Sequence, residues 1–416
     1  RILDMCTIEK CGDKNRSINR DRLQREINIL AGDAQRILAI AWFKSSKDKQ
    51  ELELDDFNEG LSFLGLFGLI DPPRPEAIEA IAKCRDAGIS VKMITGDHLL
   101  TAKAIGQRFE LGVDGQSEKK ILPGTKLDEL TPDQFAIAAR SCEIFARTTP
   151  EHKLKLVEAL QRQDKVVAMT GDGVNDAPAL KRADIGVAMG IKGTEAAKET
   201  AEMVLADDNF ATIVHAIEEG RTVYNNLIKT ILFVLPTSAG EAMTVVAAVL
   251  MGQALPITPL QILWINMVTM ITLGLALAFE KAEPDVMTRP PRDSNQPILS
   301  TYLIWRVVSV SILILLVSFG FFEFMRTTGA NLELARTVAV NGLVFAEIAN
   351  LLNCRSITTS TLSWRRLIDN KVVLGAVFAV LILQLFFTYS PSMQSLFDTS
   401  NMKVTTWLLI CLLYTS

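Results

Sequence analysis

From Thr230 onward the sequence is dominated by apolar runs, about Thr230 to Met251, Leu260 to Phe279, Val307 to Phe322, Thr337 to Leu352, Val372 to Tyr389 and Val404 to Tyr414. A helix needs about 20 mostly apolar residues to cross the hydrocarbon core of a bilayer. Backbone placed there must also satisfy its own hydrogen bonds, which leaves helices or closed barrels. The runs therefore predict an α-helical transmembrane bundle of about six helices, with the last one cut short. The loops orient it. Lys281, Arg289 and Arg292 lie between the second and third runs, and Arg355, Arg365, Arg366 and Lys371 between the fourth and fifth, whereas the first loop has no Lys or Arg. The richer loops are expected in the cytosol, with Arg326 and Arg336 on the other side weakening the contrast without reversing it.

Up to about Arg221 charged residues are frequent, and this part reads as soluble and cytosolic. A net charge of −4 and no basic patch interleaved with aromatics argue against nucleic acid as a partner. Cys6, Cys11, Cys84, Cys142, Cys354 and Cys411 are scattered, which fits free thiols in a reducing compartment. With no initiator Met or signal peptide at Arg1 and a final apolar run that stops at Ser416, both ends are expected to be cut.

Within the soluble part, a helix is expected over Arg20 to Ala31 and a strand over Arg36 to Phe43. The apolar run Leu61 to Ile70 is closed by Asp71-Pro72-Pro73-Arg74-Pro75, a stiff junction. It suggests segments 1–68, 69–227 and 228–416. From Glu76 helices alternate with short apolar strands: helix Glu76 to Ala87, strand Ile89 to Ile94, helix Leu100 to Gln107, strand Ile144 to Ala146, helix Glu151 to Gln161 and strand Lys165 to Met169. Such alternation predicts a parallel sheet flanked by helices, with ligands outside the carboxyl ends of its strands. Two turns fall at such ends, Thr95-Gly96-Asp97 and Thr170-Gly171-Asp172-Gly173-Val174-Asn175-Asp176. The second offers close backbone approach at its glycines and hard oxygen ligands of the kind Mg²⁺ prefers.

The apolar runs carry polar groups that lipid tolerates poorly. Glu241 sits mid-run after Pro236, Asn266 and Thr269 are spaced i, i+3, and Glu347 lies mid-way through the fourth run with Asn350 at i+3. A carboxylate in a span costs about 2.5–3.5 kcal/mol on insertion scales, so two of them predict a shared interior site. Pro236 and Gly240 are expected to open their helix and free carbonyls as further ligands. All donors are oxygens, which suits Na⁺, K⁺, Ca²⁺, Mg²⁺ or H⁺ rather than copper or zinc. Interhelical glue remains the competing reading for Asn266 and Thr269.

Several stretches together resemble the P-type ATPases of the calcium and sodium-potassium branch. They are Asp71-Pro72-Pro73-Arg74, Met93-Ile94-Thr95-Gly96-Asp97, Phe145-Ala146-Arg147-Thr148-Thr149-Pro150-Glu151-His152-Lys153 and Thr170 to Leu180. Glu219-Gly220-Arg221, Tyr224-Asn225-Asn226 and Met287-Thr288-Arg289-Pro290-Pro291-Arg292 add to the likeness, which runs from about Arg36 to Cys354. The resemblance implies an α/β phosphorylation domain of haloacid dehalogenase type over 69–227, a short α+β remnant of a nucleotide-binding domain over 1–68, and the fifth to tenth membrane helices over 228–416. It implies ATP and Mg²⁺ as cofactors, and ATP, a transported cation and the lipid bilayer as partners. By the same resemblance Asp172 is a Mg²⁺ ligand, Asn175 and Asp176 its supporting shell, Thr95 a hydroxyl for the transferred phosphoryl group and Lys153 its counter-charge. Gly96 and Asp97 complete that turn, while Arg36, Asp71, Arg74 and Arg147 belong to the nucleotide side. Glu241, Asn266, Thr269 and Glu347 resemble the ligands of the transported cation.

Two departures matter. Calcium pumps carry an Asp directly after the Thr matched by Thr269, and Met270 stands there instead. Ca²⁺ remains the leading expectation, with Na⁺, K⁺ or H⁺ as alternatives. The family's Asp-Lys-Thr-Gly-Thr nucleophile motif is also absent from these residues, as are an actuator domain and the first four membrane helices. The chain by itself is therefore expected to hydrolyse no ATP. A membrane-anchored phosphatase of haloacid dehalogenase type is the alternative, but an anchor needs neither Glu241 nor Glu347.

Overall fold

A computed structural model describes residues 2–11, 14–33, 35–43, 60–69, 72–112, 121–293, 296–355 and 369–413. It divides into two units, Arg1–His215 with Met287–Ser294, and Ala216–Val286 with Asn295–Ser416.

The first unit opens with β1 Cys6–Cys11, β2 Lys14–Ser17, β3 Arg36–Trp42 and β4 Leu61–Leu69, arranged in the order β2-β1-β4-β3. Only β1 and β4 run parallel in this sheet. The expected helix is present as Arg20–Gly32, started by Asn19, whose side chain accepts from the Arg22 amide. It buries Leu23 against Cys6, Leu61 and Phe63. Arg36 pairs with Leu69 at the end of β3, while its side chain and Asp71 lie outside the described residues.

Beyond Arg74 come two three-stranded sheets, all parallel as expected: β5 Met93–Ile94, β6 Ile121–Pro123 and β7 Ile144–Ala146 in the order β5-β7-β6, and β8 Ala168–Gly171, β9 Ile185–Met189 and β10 Met203–Leu205 in the order β10-β9-β8. Helices Pro75–Asp86, Leu99–Arg108, Pro132–Ser141 and Pro150–Gln161 flank them. Gly88, at φ +68°, lets the chain leave the first of these, with the Ile89 amide closing back on Cys84 O. Two strands differ from expectation. The run from Ile89 pairs only at Met93 and Ile94. The run from Lys165 pairs from Ala168, because Lys165 N bonds to Leu160 O and Val167 N to the Asp184 carboxylate at 2.7 Å, so both are used to close the preceding helix and turn.

Just before the long helix Phe210–Leu250, Asp208 clasps the turn after β9. Its carboxylate accepts from the amides of Ile191 (2.9 Å) and Lys192 (2.8 Å), and its carbonyl accepts from Arg74 Nη1 (3.2 Å). These amide bonds hold the Asp208 carboxyl below its ordinary range. A depressed folded-state pKa gives stability that is present above about pH 4, the ordinary aspartate value, and lost as pH falls through the folded value. Asp208→Asn, which tolerates the φ of +49°, is expected to lower the melting temperature at pH 7, with a deficit that shrinks as pH falls below about 4 in thermal unfolding; a deficit that stays constant over that range would contradict this.

The second unit contains helices long and apolar enough to cross a membrane: Phe210–Leu250, which begins in the first unit, Pro259–Ala278, Thr301–Thr327, Leu332–Cys354 and Lys371–Tyr389. Val404–Leu413 is helical but only 10 residues long in the described chain, so five of the six expected spans stand at full length. Over its apolar 18-residue stretch Leu332–Cys354 has 72% buried, against 28% for the corresponding stretches of Thr301–Thr327 and Lys371–Tyr389, which makes it the most enclosed of the described spans. Near one end Lys229 and Glu283 form a buried ion pair at 3.2 Å, and Asn226 holds the carbonyls of Ala278 and Glu280.

The expected opening at Pro236 is absent. Phe210–Leu250 runs through it as one helix of 41 residues. Proline removes the backbone bond to Leu232 O, yet the helix continues, and the Thr237 hydroxyl adds bonds to the next two carbonyls, Phe233 O (3.0 Å) and Val234 O (2.9 Å), in the same turn. The irregular backbone is instead in the second span, where Asn266–Gly274 is wound as a π-helix.

Candidate functional site

In the first unit, the polar groups gather at the carboxyl ends of β5 and β8. The Thr95 hydroxyl donates to Asp97 Oδ2 (3.2 Å) and accepts from the Asp97 amide (3.1 Å), while Thr95 O accepts from the amide and hydroxyl of Thr148. Arg147, at φ +52°, gives its amide to Asp97 O (3.1 Å). The turn Thr95-Gly96-Asp97 is thus fastened to the segment after β7. At the second turn, Lys153 Nζ pairs with Asp176 Oδ1 at 2.5 Å, and Asp176 Oδ2 accepts from the Gly173 amide. Gly171 is required here, because a Cβ would stand 2.5 Å from Asp176 Cβ.

Asp172 and Asn175 are exposed beside this buried pair, and Asp172 is held by its backbone, with Thr194 N donating to Asp172 O at 2.8 Å. Its carboxylate makes no hydrogen bond or ion pair among the described residues. That leaves it available to a cation. Asp176, already committed to Lys153, is not. No group of three or more His, Cys, Asp or Glu side chains could hold a metal among the described residues. Mg²⁺ needs no such cage, since it is bound through one or two carboxylates, waters and substrate phosphates. The donor set therefore fits Mg²⁺ at Asp172. Among the described residues no hydrogen bond or ion pair joins Thr95 to Lys153 or Asp172.

The sequence reading missed the supports. His152, buried next to Lys153, accepts the Thr149 amide on Nδ1 and meets Asp128 through Nε2 at 2.7 Å. Thr149, three residues before His152, is a legible capping signal; the approach of Asp128 and Thr194 is not. Exposed Glu151 and Lys155 pair one turn apart, which lowers the Glu151 carboxyl.

In the second unit the four predicted oxygen donors come together. Asn266 Nδ2 donates to Glu241 Oε2 (3.2 Å), and Glu347 lies within electrostatic reach of Glu241 and hydrogen-bonding reach of the Thr269 hydroxyl. Glu241 and Glu347 are 4% and 2% exposed, and each keeps one buried carboxylate oxygen, Glu241 Oε1 and Glu347 Oε2, without a partner. Buried polar atoms are normally satisfied. Two unsatisfied carboxylate oxygens facing a neutral amide and hydroxyl form an acceptor cluster suited to a hard cation. Asn266 and Thr269 both sit in the π-helical stretch, so the irregular winding falls at the site itself.

Comparison with known proteins bears on both halves. Residues 16–184 match the haloacid dehalogenase-like hydrolases, as do 153–217 by a second family model, and residues 254–416 match the cation transporting ATPase C-terminus. A cation-transporting ATPase of Synechocystis is 46% identical over 95% of the chain, a probable cation-transporting ATPase F of Mycobacterium tuberculosis 45% over 99%, and a calcium-transporting ATPase of Bacillus subtilis 42% over 92%. Over nearly its whole length the chain is similar to cation-transporting ATPases. It spans 44%, 45% and 42% of the length of these relatives, less than half of each. The chain thus combines a haloacid dehalogenase-like domain with a multi-pass membrane part, as the resemblance implied.

Proposed function

We propose that this chain supplies the phosphoryl-handling site and the ion site of an ATP-driven cation transporter working through an aspartyl phosphate, with Ca²⁺ as the transported ion. Support for the ion site rests on one observation above the others, the meeting of Glu241 and Glu347 with an unpartnered oxygen on each. Glu241, Asn266, Thr269 and Glu347 are the ligands. Their two carboxylates favour a divalent ion, and the relatives named for calcium transport favour Ca²⁺ in particular.

In the first unit Lys153 would neutralise charge on the transferred phosphoryl group, and Thr95 would donate to it. Phosphoryl transfer depends on such positioning and charge stabilisation more than on covalent help from the protein. Mg²⁺ held at Asp172, with Asn175 and Asp176 behind it, would supply further charge neutralisation. Gly96 and Asp97 shape the Thr95 turn, and Arg36, Asp71, Arg74 and Arg147 serve the nucleotide. These residues contain no Asp-Lys-Thr-Gly-Thr sequence, so the chain expressed alone is expected to form no acid-stable phosphoenzyme.

The test uses the full-length transporter that contains this chain. ATP hydrolysis is measured with Ca²⁺, Na⁺, K⁺ and Mn²⁺ added singly over a constant Mg²⁺ background. Stimulation by Ca²⁺ at lower concentration than by any other ion is expected. Stimulation by a monovalent ion alone would overturn the choice of Ca²⁺, and no response to any cation would overturn the transport reading.

A further inference from the structure

A second set of polar side chains in the bundle has buried atoms without a hydrogen-bond partner. Asn341, on Leu332–Cys354, is 0% exposed, and Gln384, on Lys371–Tyr389, is 1% exposed. Asn341 Nδ2 donates to Thr337 O (2.8 Å) and Thr388 Oγ1 (3.1 Å) and lies 3.4 Å from Met402 Sδ, yet its Oδ1 has no partner. Both polar atoms of the Gln384 side chain are also unpartnered. Ser400 N donates to Thr337 Oγ1 (3.0 Å), while its own hydroxyl has no partner. Leaving a buried polar atom unbonded is costly, so several together call for an occupant.

These atoms are in a column. Thr337 and Asn341 are one turn apart on one helix, and Gln384 and Thr388 one turn apart on the next, where the Thr388 hydroxyl donates to Gln384 O (2.9 Å). Successive spans run antiparallel, so with Thr388 opposite Asn341, Gln384 comes opposite residue 345. Glu347 stands two residues further, at nearly the same depth, about 3 Å along the axis but about 160° round the helix from residue 345. In the other direction the column passes Thr337 and Ser400 and ends in the 390–403 segment. That segment lies across the bilayer from the loop containing Arg355 and Lys371, and hence on the side away from the cytosol.

The chemistry of the set selects its occupant. It contains two amide carbonyls, an amide donor and hydroxyls, and no carboxylate. A bound metal ion would have the Gln384 NH₂ group turned toward it, whereas water both donates and accepts and can meet every one of these atoms. We propose that Asn341, Gln384, Thr388 and Ser400 line a water-filled path from the extracytosolic 390–403 segment into the middle of the bundle, ending close to the depth of Glu347. The path would carry water from the side away from the cytosol to the level of the ion site; in that purpose, though not in its existence, it rests on the cation-site reading above.

The test is thiol labelling of the full-length protein in sealed vesicles, with a membrane-impermeant methanethiosulfonate added on the extracytosolic side. The background is Cys411→Ser, since the other described cysteines are buried. Ser400→Cys, Asn341→Cys and Gln384→Cys are compared with Val380→Cys, which is one turn from Gln384 and also fully buried at 0%. The three path positions are expected to react at least about tenfold faster than Val380→Cys, because access controls thiol labelling. Labelling of Asn341→Cys and Gln384→Cys no faster than the control would overturn the path. Wild-type protein provides a check free of folding artefacts: a crystal structure that resolves ordered water is expected to place water within hydrogen-bond distance of Asn341 Oδ1 and the Gln384 amide, and dry amides there would overturn the proposal. Labelling does not depend on turnover. A labelled path in a protein whose hydrolysis ignores every cation would therefore overturn the transport reading and leave the path standing.

Discussion

Glu241→Gln in the full-length transporter is expected to lower apparent affinity for the transported cation by about 100-fold or more, or about 2.7 kcal/mol at 1.36 kcal/mol per decade, while phosphorylation by inorganic phosphate survives. The amide keeps the shape of the carboxylate, and its Oε1 can still accept from Asn266 Nδ2, which makes one of the site's two direct links. What disappears is the negative charge and the unpartnered Oε1, replaced by an NH₂ group that repels a cation. Phosphorylation by phosphate draws on Lys153, Asp176 and Asp172, all in the other unit, and should persist. Thr269→Ala provides the scale. It removes a neutral oxygen, so its loss is expected to be nearer about tenfold, the smaller end of what ligand-shell changes cost. Equal small effects for both substitutions, read from the cation dependence of ATP hydrolysis, would mean that Glu241 is not a ligand.

The contrast between Pro236 and Asn266 marks how far the sequence carries the site. Glu241 and Glu347 could be named from their positions in apolar runs, because charge in lipid is costly and therefore informative; uncharged Asn266 and Thr269 read equally as interhelical glue and became ligands only through the resemblance. Which helix departs from α geometry could not be named. A proline signals a lost hydrogen bond, but it does not say whether the helix opens, and here Phe210–Leu250 continues through Pro236. The π-winding of Asn266–Gly274 has no proline to announce it. It reflects packing between spans, which no local pattern encodes. In the first unit, parallel strands and most helix ranges were legible from periodicity, and the capping Thr149 from its spacing. The contacts that fix the turns, Thr148 on Thr95, Thr194 on Asp172 and Asp208 on Ile191 and Lys192, join distant segments and became visible only in the fold.

Lys153→Met in the full-length transporter is expected to reduce the rate of phosphoryl transfer by about 10²–10³-fold, the usual cost of removing a group aimed at developing charge. The geometry also supplies a rival explanation. Lys153 pairs with Asp176, whose side chain is 9% exposed, so the substitution strands a buried carboxylate. Breaking such a pair costs up to about 3–5 kcal/mol of stability, less here because the Lys153 side chain is 19% exposed. A double-substitution cycle separates the two effects. Asp176→Asn removes the stranded charge, so Lys153→Met with Asp176→Asn is expected to regain most of the melting temperature lost by Lys153→Met alone. Because Asp176 also stands behind the Mg²⁺ ligand, the rate is referred to Asp176→Asn alone. If Lys153 serves only to hold Asp176 in place, the double variant phosphorylates as fast as Asp176→Asn; if it faces the phosphoryl group, as proposed, the double variant is slower than Asp176→Asn by about the same factor of 10²–10³. Equal rates for the double variant and Asp176→Asn in single-turnover phosphorylation, with stability regained in thermal unfolding, would remove Lys153 from the chemistry and leave Asp172 and Thr95 to carry it.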